Sequence, residues 1–509
     1  MEHFLTGLNS IFAVDPIICL TIGTLVGVIV GALPGLGSVL GITLCLPFTF
    51  TMSSITAIAL LLGVYAGSIY GGCIAAVLIN TPGTPASAAT TFDGFPMALN
   101  GQSEKAIGWA TMASVLGGIF SCFVLLLAAP QLAAIAVRFG PMETSALILM
   151  GLTCISSVSG GSQFKGILSG VLGLFLATIG QDPMTGDSRF TFGFFSLSGG
   201  MDLIAVLVGT FALSEVFIRI DVVGRENIRN IISCNGLTLP TIAEWKAKGR
   251  IWLLMKSSAI GSFIGVLPGT GSSAAAFLSY GEAKRSSPRK ANMGKGEPDG
   301  IIAPESANNA VTGGAMVPAL ALGIPGDAVT AVMLATLLIH GVTPGVRLMV
   351  DSPHIVYGIF IALFIANLLL IPFGWVIAKG FAYLLKLPES LLLPVITTLC
   401  LLGTYGVRNS VFDLFTTATM GFVGVILRYF KVPLAPLVIG LVLGSLFETS
   451  LRQSYFIKHG NMLRVVEHPI AVFLLLVSLI LLFAPQISKI WRNYQLSKNP
   501  DYVPLPEDD

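Results

Sequence analysis

Long apolar runs, most of them near or beyond twenty residues, recur along the chain with short polar stretches between them. In the first half they cover 16–50, 54–80, 106–137, 141–158, 164–182 and 201–220. In the second half they cover 252–280, 308–340, 354–384, 388–407, 411–430 and 433–450, and one more follows at 466–487. A helix needs about 20 apolar residues to cross a hydrocarbon core about 30 Å thick, so the pattern predicts an all-α polytopic membrane protein with about 10–13 membrane segments. Polar punctuation divides it into a first membrane repeat (1–220), a basic linker (221–251) and a second repeat (252–452). A loop with an extra C-terminal transmembrane helix (453–487) and a polar tail (488–509) complete the chain.

Two of these runs are broken at their centres. GALPGLGS occupies Gly31–Ser38, and GVLPGTGS occupies Gly265–Ser272. Proline removes a backbone donor and clashes with the preceding turn. Lipid-facing backbone does not tolerate such a break; backbone buried in protein or lining a watery cavity does. A second pair of breaks follows in the same order. Asn80-Thr81-Pro82-Gly83-Thr84-Pro85 aligns with Gly323-Ile324-Pro325-Gly326-Asp327. Two further stretches align as well, PMETSALILMGLTC (141–154) with PESLLLPVITTLC (388–400), and Glu215–Arg219 with Glu448–Arg452. Four matches in one order, at nearly constant spacing, predict an internal duplication.

Charge suggests the orientation of the repeats. The longest polar stretch carries Arg219, Arg225, Arg229, Lys246, Lys248, Arg250 and Lys256, and the loop 281–300 carries Lys284, Arg285, Arg289, Lys290 and Lys295. Short loops rich in Lys and Arg stay in the cytoplasm. With both loops on one side, the run between them enters and turns back, with LPGTG at the turn. If each LPG run is re-entrant, each half keeps an odd number of crossings and the second repeat is inverted. Loop 451–465, with Arg452, Lys458 and Arg464, fits this arrangement poorly, since it falls outside.

Composition narrows the class further. Apolar residues make up 54% and charged residues 11% of 509, against about 25% charged in soluble domains. The net charge of +2 offers no basic surface for nucleic acid. The seven cysteines lack CxxC spacing, and six lie in apolar runs, where they act as small buried hydrophobes. MEHFLTGLNS has no Lys or Arg to form the basic region of a signal peptide, so the first apolar run is expected to remain.

Gly23, Gly27, Gly31 and Gly35 recur every fourth residue, as do Gly261, Gly265 and Gly269. This spacing makes one small-residue face for close helix packing. It does not explain the prolines. In secondary transporters, Gly/Pro-interrupted segments at matching places in two halves point to the substrate site. The candidate substrate-binding residues are therefore Leu33, Pro34, Gly35, Gly37 and Ser38, with Pro268, Gly269, Thr270, Gly271, Ser272 and Ser273 opposite, and Asn80, Thr81 and Thr84 from the second break. Each break starts a new half-helix, whose free N–H groups and positive dipole end suit an anion. The serines would add hydroxyl donors, with no fixed cation to trap the ligand; they are equally ordinary N-caps. Asp327, in an otherwise uncharged run with Pro325 and Gly326, is the candidate for ion coupling. Capping a helix is its alternative role. Glu305, Asn308 and Asn309 form a polar cluster without an assigned role, and Glu143, Glu215, Glu448 and Arg219 lie at segment ends, where interfacial anchoring is expected.

Together, the two Gly-x-x-x-Gly-x-Leu-Pro-Gly-x-Gly-Ser stretches, the Asn-Thr-Pro-Gly-Thr-Pro stretch and the following DGFPMALNGQSEKAIGWA resemble the large membrane subunit of the tripartite tricarboxylate transporter family. The resemblance runs from about residue 15 to 485. It implies a multi-pass permease of the bacterial inner membrane, working with a small membrane subunit and a periplasmic solute-binding protein. It also implies carboxylate uptake by symport, driven by a Na+ or H+ gradient rather than ATP, and no other cofactor.

The competing readings are a channel and a membrane-embedded enzyme. No HExxH, GxSxG or GxxxxGK[ST] motif occurs, and the five histidines are dispersed. No metal site is expected, and the protein is read as a non-enzyme. Paired half-helices suit alternating access better than a channel.

Overall fold

The structure, a computed structural model, describes residues 2–137, 139–158, 162–222, 232–247, 249–269, 271–385, 389–480 and 482–483. Thr270, part of the basic linker and the polar tail lie outside this set.

Helices account for nearly all of the regular structure. In chain order they are α1 (Glu2–Ile11), α2 (Val14–Ala32), α3 (Gly37–Thr49), α4 (Ser54–Ile79), α5 (Thr91–Met97), α6 (Ser103–Ala136), α7 (Pro141–Val158) and α8 (Gln163–Ala177). Next come α9 (Leu203–Leu207) and α10 (Ser214–Val222), joined through a π-turn at Val208–Leu213, and α11 (Ile242–Trp245). The second half supplies α12 (Arg250–Val266), α13 (Gly271–Ser286), α14 (Asp299–Leu322), α15 (Ala328–Ile339), α16 (Val346–Asp351), α17 (Pro353–Leu384), α18 (Glu389–Arg408), α19 (Val411–Tyr429) and α20 (Leu434–Ile457). The last described helix is α21 (Pro469–Ile480). Among the described residues, eight helices are long and apolar enough to cross a membrane, and four shorter apolar ones accompany them. The run 16–50 is two helices, α2 and α3, and the run 252–280 is likewise α12 and α13.

Two compact units form, and neither is a sequence half. One comprises Met1–Ala136 with Ile204–Val425; the other comprises Val137–Leu203 with the chain from Ile426 onward.

The first unit is built around α4 and α14, which are buried along almost their whole length. Glycine spacing explains the tightest packing. A Cβ placed on Gly23, Gly27 or Gly31 of α2 would collide with the carbonyl oxygens of Leu60, Val64 and Ser68 on α4. From the other side, Gly63, Gly67 and Gly71 face the carbonyls of Leu20, Thr24 and Val28. The two glycine stripes interlock, bringing the backbones together as small residues allow. α12 and α14 repeat the device, with Gly261 on Ala307, Gly265 on Val311 and Gly314 on Ser262. The loop before α14 is pinned to α5. Asp93 Oδ1 accepts the backbone N–H groups of Gly294, Gly296 and Glu297 at 2.8, 3.0 and 2.9 Å, and its Oδ2 accepts from Tyr280 at 3.0 Å. Beside it, Arg250 of α12 and Arg289 of the loop pair with Glu297 and Asp299.

The second unit packs α20 against α7 and α8. Gly440 and Gly173 make the close approaches there, against Gly170 and Leu437. A short antiparallel hairpin pairs Gly180 with Arg189 and Gln181 with Ser188. Beside it, Asp182, Arg189, Glu448 and Arg452 form an ion-pair network.

Candidate functional site

The two LPG breaks share their backbone at the leucine and both glycines. Leu33 ends α2 at φ −83°, ψ 117°, and Leu267 ends α12 at φ −81°, ψ 115°. Gly35 and Gly269 then turn at φ +80° and +86°, and Gly37 and Gly271 at φ +68° and +69°. Side chains disfavour these positive angles, so each break needs both glycines. Leu36, between Gly35 and Gly37, is right-handed. Alternation of this kind is the backbone of an anion-binding nest, and here the Leu36 N–H is taken by the Leu33 carbonyl at 3.3 Å. α3 and α13 start directly after these turns. Ser38 is buried at the start of α3, while Ser272 and Ser273 are half-buried in the first turn of α13.

The second breaks also match. Asn80 ends α4 in the left-handed region at φ 55°, and Gly323 ends α14 there at φ 72°, as helix C-termini favour. Gly83 N–H donates to the Gly72 carbonyl at 3.2 Å, and a Cβ on Gly83 would collide with the Gly31 carbonyl. Gly269 N–H donates to the Gly326 carbonyl at 2.7 Å, and a Cβ on Gly326 would stand 2.9 Å from the Gly265 carbonyl. Within each half, therefore, the two breaks are packed together. Asn80 and Thr81 are exposed, and Thr84 is buried with its Oγ1 3.3 Å from Ser87 Oγ.

Packing between the halves is crossed. α3, which follows the first LPG turn, packs on α15, which follows the second half's Pro-Gly break. α13, which follows the second LPG turn, packs on the 3₁₀ turn Pro85–Ser87, which follows the first half's Pro-Gly break. Each post-turn helix thus meets the other half's second break.

Asp327 occupies the N-cap of α15. Its Oδ1 accepts from Thr330 N at 2.7 Å and from Thr330 Oγ1 at 2.8 Å, while the Asp327 N–H donates back to Thr330 Oγ1 at 2.9 Å. Its Oδ2 accepts from the Tyr65 hydroxyl of α4 at 2.6 Å. Each carboxylate oxygen already holds a protein donor, and the cap role is fully built. Pro325 and Gly326 are buried beside it.

One expectation needs correcting. Arg219 is not simply a residue at the end of a segment. Its side chain is 17% exposed and lies on the first LPG turn, where Nη2 donates to the Pro34 carbonyl at 2.8 Å and Nε to Glu215 Oε1 at 3.0 Å. A fixed cation therefore stands at the first break, where the sequence pattern predicts none. The physical reason is the C-terminus of α2, whose free carbonyls attract a guanidinium. The other residues of this group also have local partners. Glu143 accepts from Gly140 N at 2.9 Å and contacts His468 Nδ1 at 2.6 Å, and Glu448 pairs with Arg189 and Arg452.

The unassigned polar cluster is buried inside α14. Glu305 accepts from Thr90 Oγ1 at 2.5 Å and from Ser114 Oγ at 3.0 Å. Its only signal in the sequence is a carboxylate and two carboxamides in an otherwise apolar stretch. Among the described residues, no group of three or more His, Cys, Asp or Glu side chains converges as a metal site.

Comparisons with known proteins place the sequence in a family. The profile of the tripartite tricarboxylate transporter TctA family matches residues 17–439. An uncharacterized 52.8 kDa protein in the TAR-I ttuC' 3'region of Agrobacterium vitis is 36% identical over 460 residues, covering 90% of each chain. A second uncharacterized protein of that organism, in the TAR-II ttuC' 3'region, is 36% identical over 230 residues, covering 45% of this chain and 95% of its own. No solved structure matches. With its eight candidate spans and a family profile over most of its length, the chain is a multi-pass membrane protein and belongs to the tripartite tricarboxylate transporter TctA family.

Proposed function

We propose that this chain is the permease subunit of a secondary transporter that takes up di- or tricarboxylates across the bacterial inner membrane. A cation gradient, Na+ or H+, drives the uptake. A small membrane subunit assembles with the chain, and a periplasmic binding protein delivers the substrate. The observation that carries the reading is the pair of LPG turns with one shared backbone. Each is followed directly by a helix N-terminus, the fitting for an anionic group at a broken helix. Leu33–Ser38 and Leu267–Ser273 supply the walls of the site, with the Asn80–Thr84 break packed beside the first. Arg219, one half of an ion pair with Glu215, holds the first turn in shape through the Pro34 carbonyl.

The test is uptake of a labelled carboxylate panel into proteoliposomes containing this chain and its partner subunits, with Na+ and proton gradients imposed separately. Accumulation of at least one di- or tricarboxylate under one of the two gradients is expected. Absence of accumulation with every carboxylate under both gradients, or accumulation only with ATP, overturns the reading.

A further inference from the structure

α14 carries a carboxylate and two carboxamides in little more than one turn, Glu305, Asn308 and Asn309, and all three are fully buried. Residues three and four apart share a helix face, so Glu305 can meet both carboxamides. The donors that reach Glu305 are two neutral hydroxyls, one on each carboxylate oxygen. Among the described ion pairs, none includes Glu305. A carboxylate in such a place keeps its charge only with a positive partner.

The carboxamides sharpen the point. Asn308 Nδ2 donates to the Ile69 carbonyl at 3.5 Å, and Asn309 Nδ2 donates to the Glu305 carbonyl at 3.3 Å. Each amide is oriented with its Nδ2 toward a carbonyl oxygen, the assignment that avoids setting oxygen against oxygen. Both Oδ1 atoms are then buried acceptors without a donor. Buried polar atoms are almost always paired, and unpaired ones need an explanation. A single proton on Glu305 satisfies one acceptor. A cation satisfies several at once.

We infer that Glu305, Asn308 and Asn309 form a binding site for a monovalent hard cation, Na+ being the one that fits oxygen ligands and a single carboxylate charge. A divalent ion would leave a net positive charge in the interior. The inference rests on the proposed cation-driven uptake and assigns the coupling ion to α14 rather than to Asp327, whose carboxylate caps α15; the unpartnered Oδ1 atoms of Asn308 and Asn309, not the hydrogen bonds of the carboxylates themselves, distinguish the two places. It also suggests how the ion acts on the transport site. Thr90 follows the first half's Pro-Gly break, Ile69 lies on α4, and Ser114 lies on α6. A cation on α14 would neutralise a charge held between these first-half elements and the second half, so loading the ion favours one arrangement of the two halves.

The test is thermal unfolding of the purified full-length chain, without substrate or partner subunits, in NaCl against choline chloride at constant chloride. The wild-type midpoint is expected to rise with Na+ and to saturate. Glu305→Gln should lose the response, Asn308→Leu and Asn309→Leu should shift its half-saturation at least tenfold, and Asp327→Asn should keep it. An equal midpoint in the two salts, a midpoint that follows pH alone, or a wild-type Na+ response in Glu305→Gln overturns the site. If Glu305→Gln does not fold, unchanged half-saturation in both asparagine variants overturns it. Because no carboxylate is present, a Na+ response that survives while carboxylate uptake fails sinks the permease reading and leaves this site standing.

Discussion

The Arg219 guanidinium and the Pro34 carbonyl, far apart in sequence, meet at 2.8 Å on the first LPG turn. Gly35 makes the contact possible, because any Cβ there would collide with Arg219 Nη2. Two sequence features that look unrelated, a glycine in a turn and an arginine at a segment end, are one structure.

Gly35→Val should abolish transport. The substitution puts a β-branched residue at φ +80° and drives it into the guanidinium. Arg219→Gln removes a charge-assisted hydrogen bond and should cost about 1.5–3 kcal/mol in stability, in the binding of the anion, or in both. Folded yield and the half-saturation for carboxylate uptake separate these costs. Wild-type values for both in Arg219→Gln would show that the contact is idle.

The serines that follow the turns test the substrate site more gently. Ser38→Ala and Ser272→Ala should each weaken apparent carboxylate affinity by about 0.5–3 kcal/mol, the range for losing one hydrogen bond. Direct binding measurements on reconstituted protein check this. Unchanged affinity in both variants would leave the turns with a packing role only.

At Asp327 the cap and the coupling roles give opposite results. Asn is as good an N-cap as Asp, so Asp327→Asn should leave gradient-driven uptake largely intact, whereas Asp327→Ala should lower stability by about 0.5–2 kcal/mol. Tyr65→Phe should show a smaller loss, since one hydrogen bond to Asp327 disappears. Uptake that no longer follows the gradient in Asp327→Asn would restore this residue as the ion carrier.

Outside the membrane segments, Glu244 ties the linker to the start of α6. Its hydrogen bond with Lys105, helped by the Thr241 N–H, holds its carboxyl down to about 2. A carboxyl lower in the folded state than in the unfolded one stabilises docking above the unfolded pKa and loses that contribution as pH falls through the folded one. The protection factors of residues 232–247, taken against intrinsic amide exchange at each pH, should therefore fall between about pH 4.5 and 2. Lys105→Met should raise the pH at which protection is lost, and Glu244→Gln should flatten the dependence.

Hydropathy and glycine or proline punctuation act over a few neighbouring residues, so the sequence by itself determines what depends on them. The membrane class, the places where α2, α4, α12 and α14 stop, and the interlocking glycine face of α2 follow from local chemistry: apolar length, missing donors and missing Cβ atoms. The partners of these elements do not follow. Which apolar helix packs on which is nearly degenerate in composition, so the division into two compact units that mix both halves is not legible in the chain. The same holds for the crossed packing of α3 on α15, for Arg219 on Pro34, and for Thr90 and Ser114 on Glu305. These pairings bring together groups 185 or more residues apart. Backbone close packing and the need to satisfy each buried polar atom select them, and both conditions exist only once the helices are assembled.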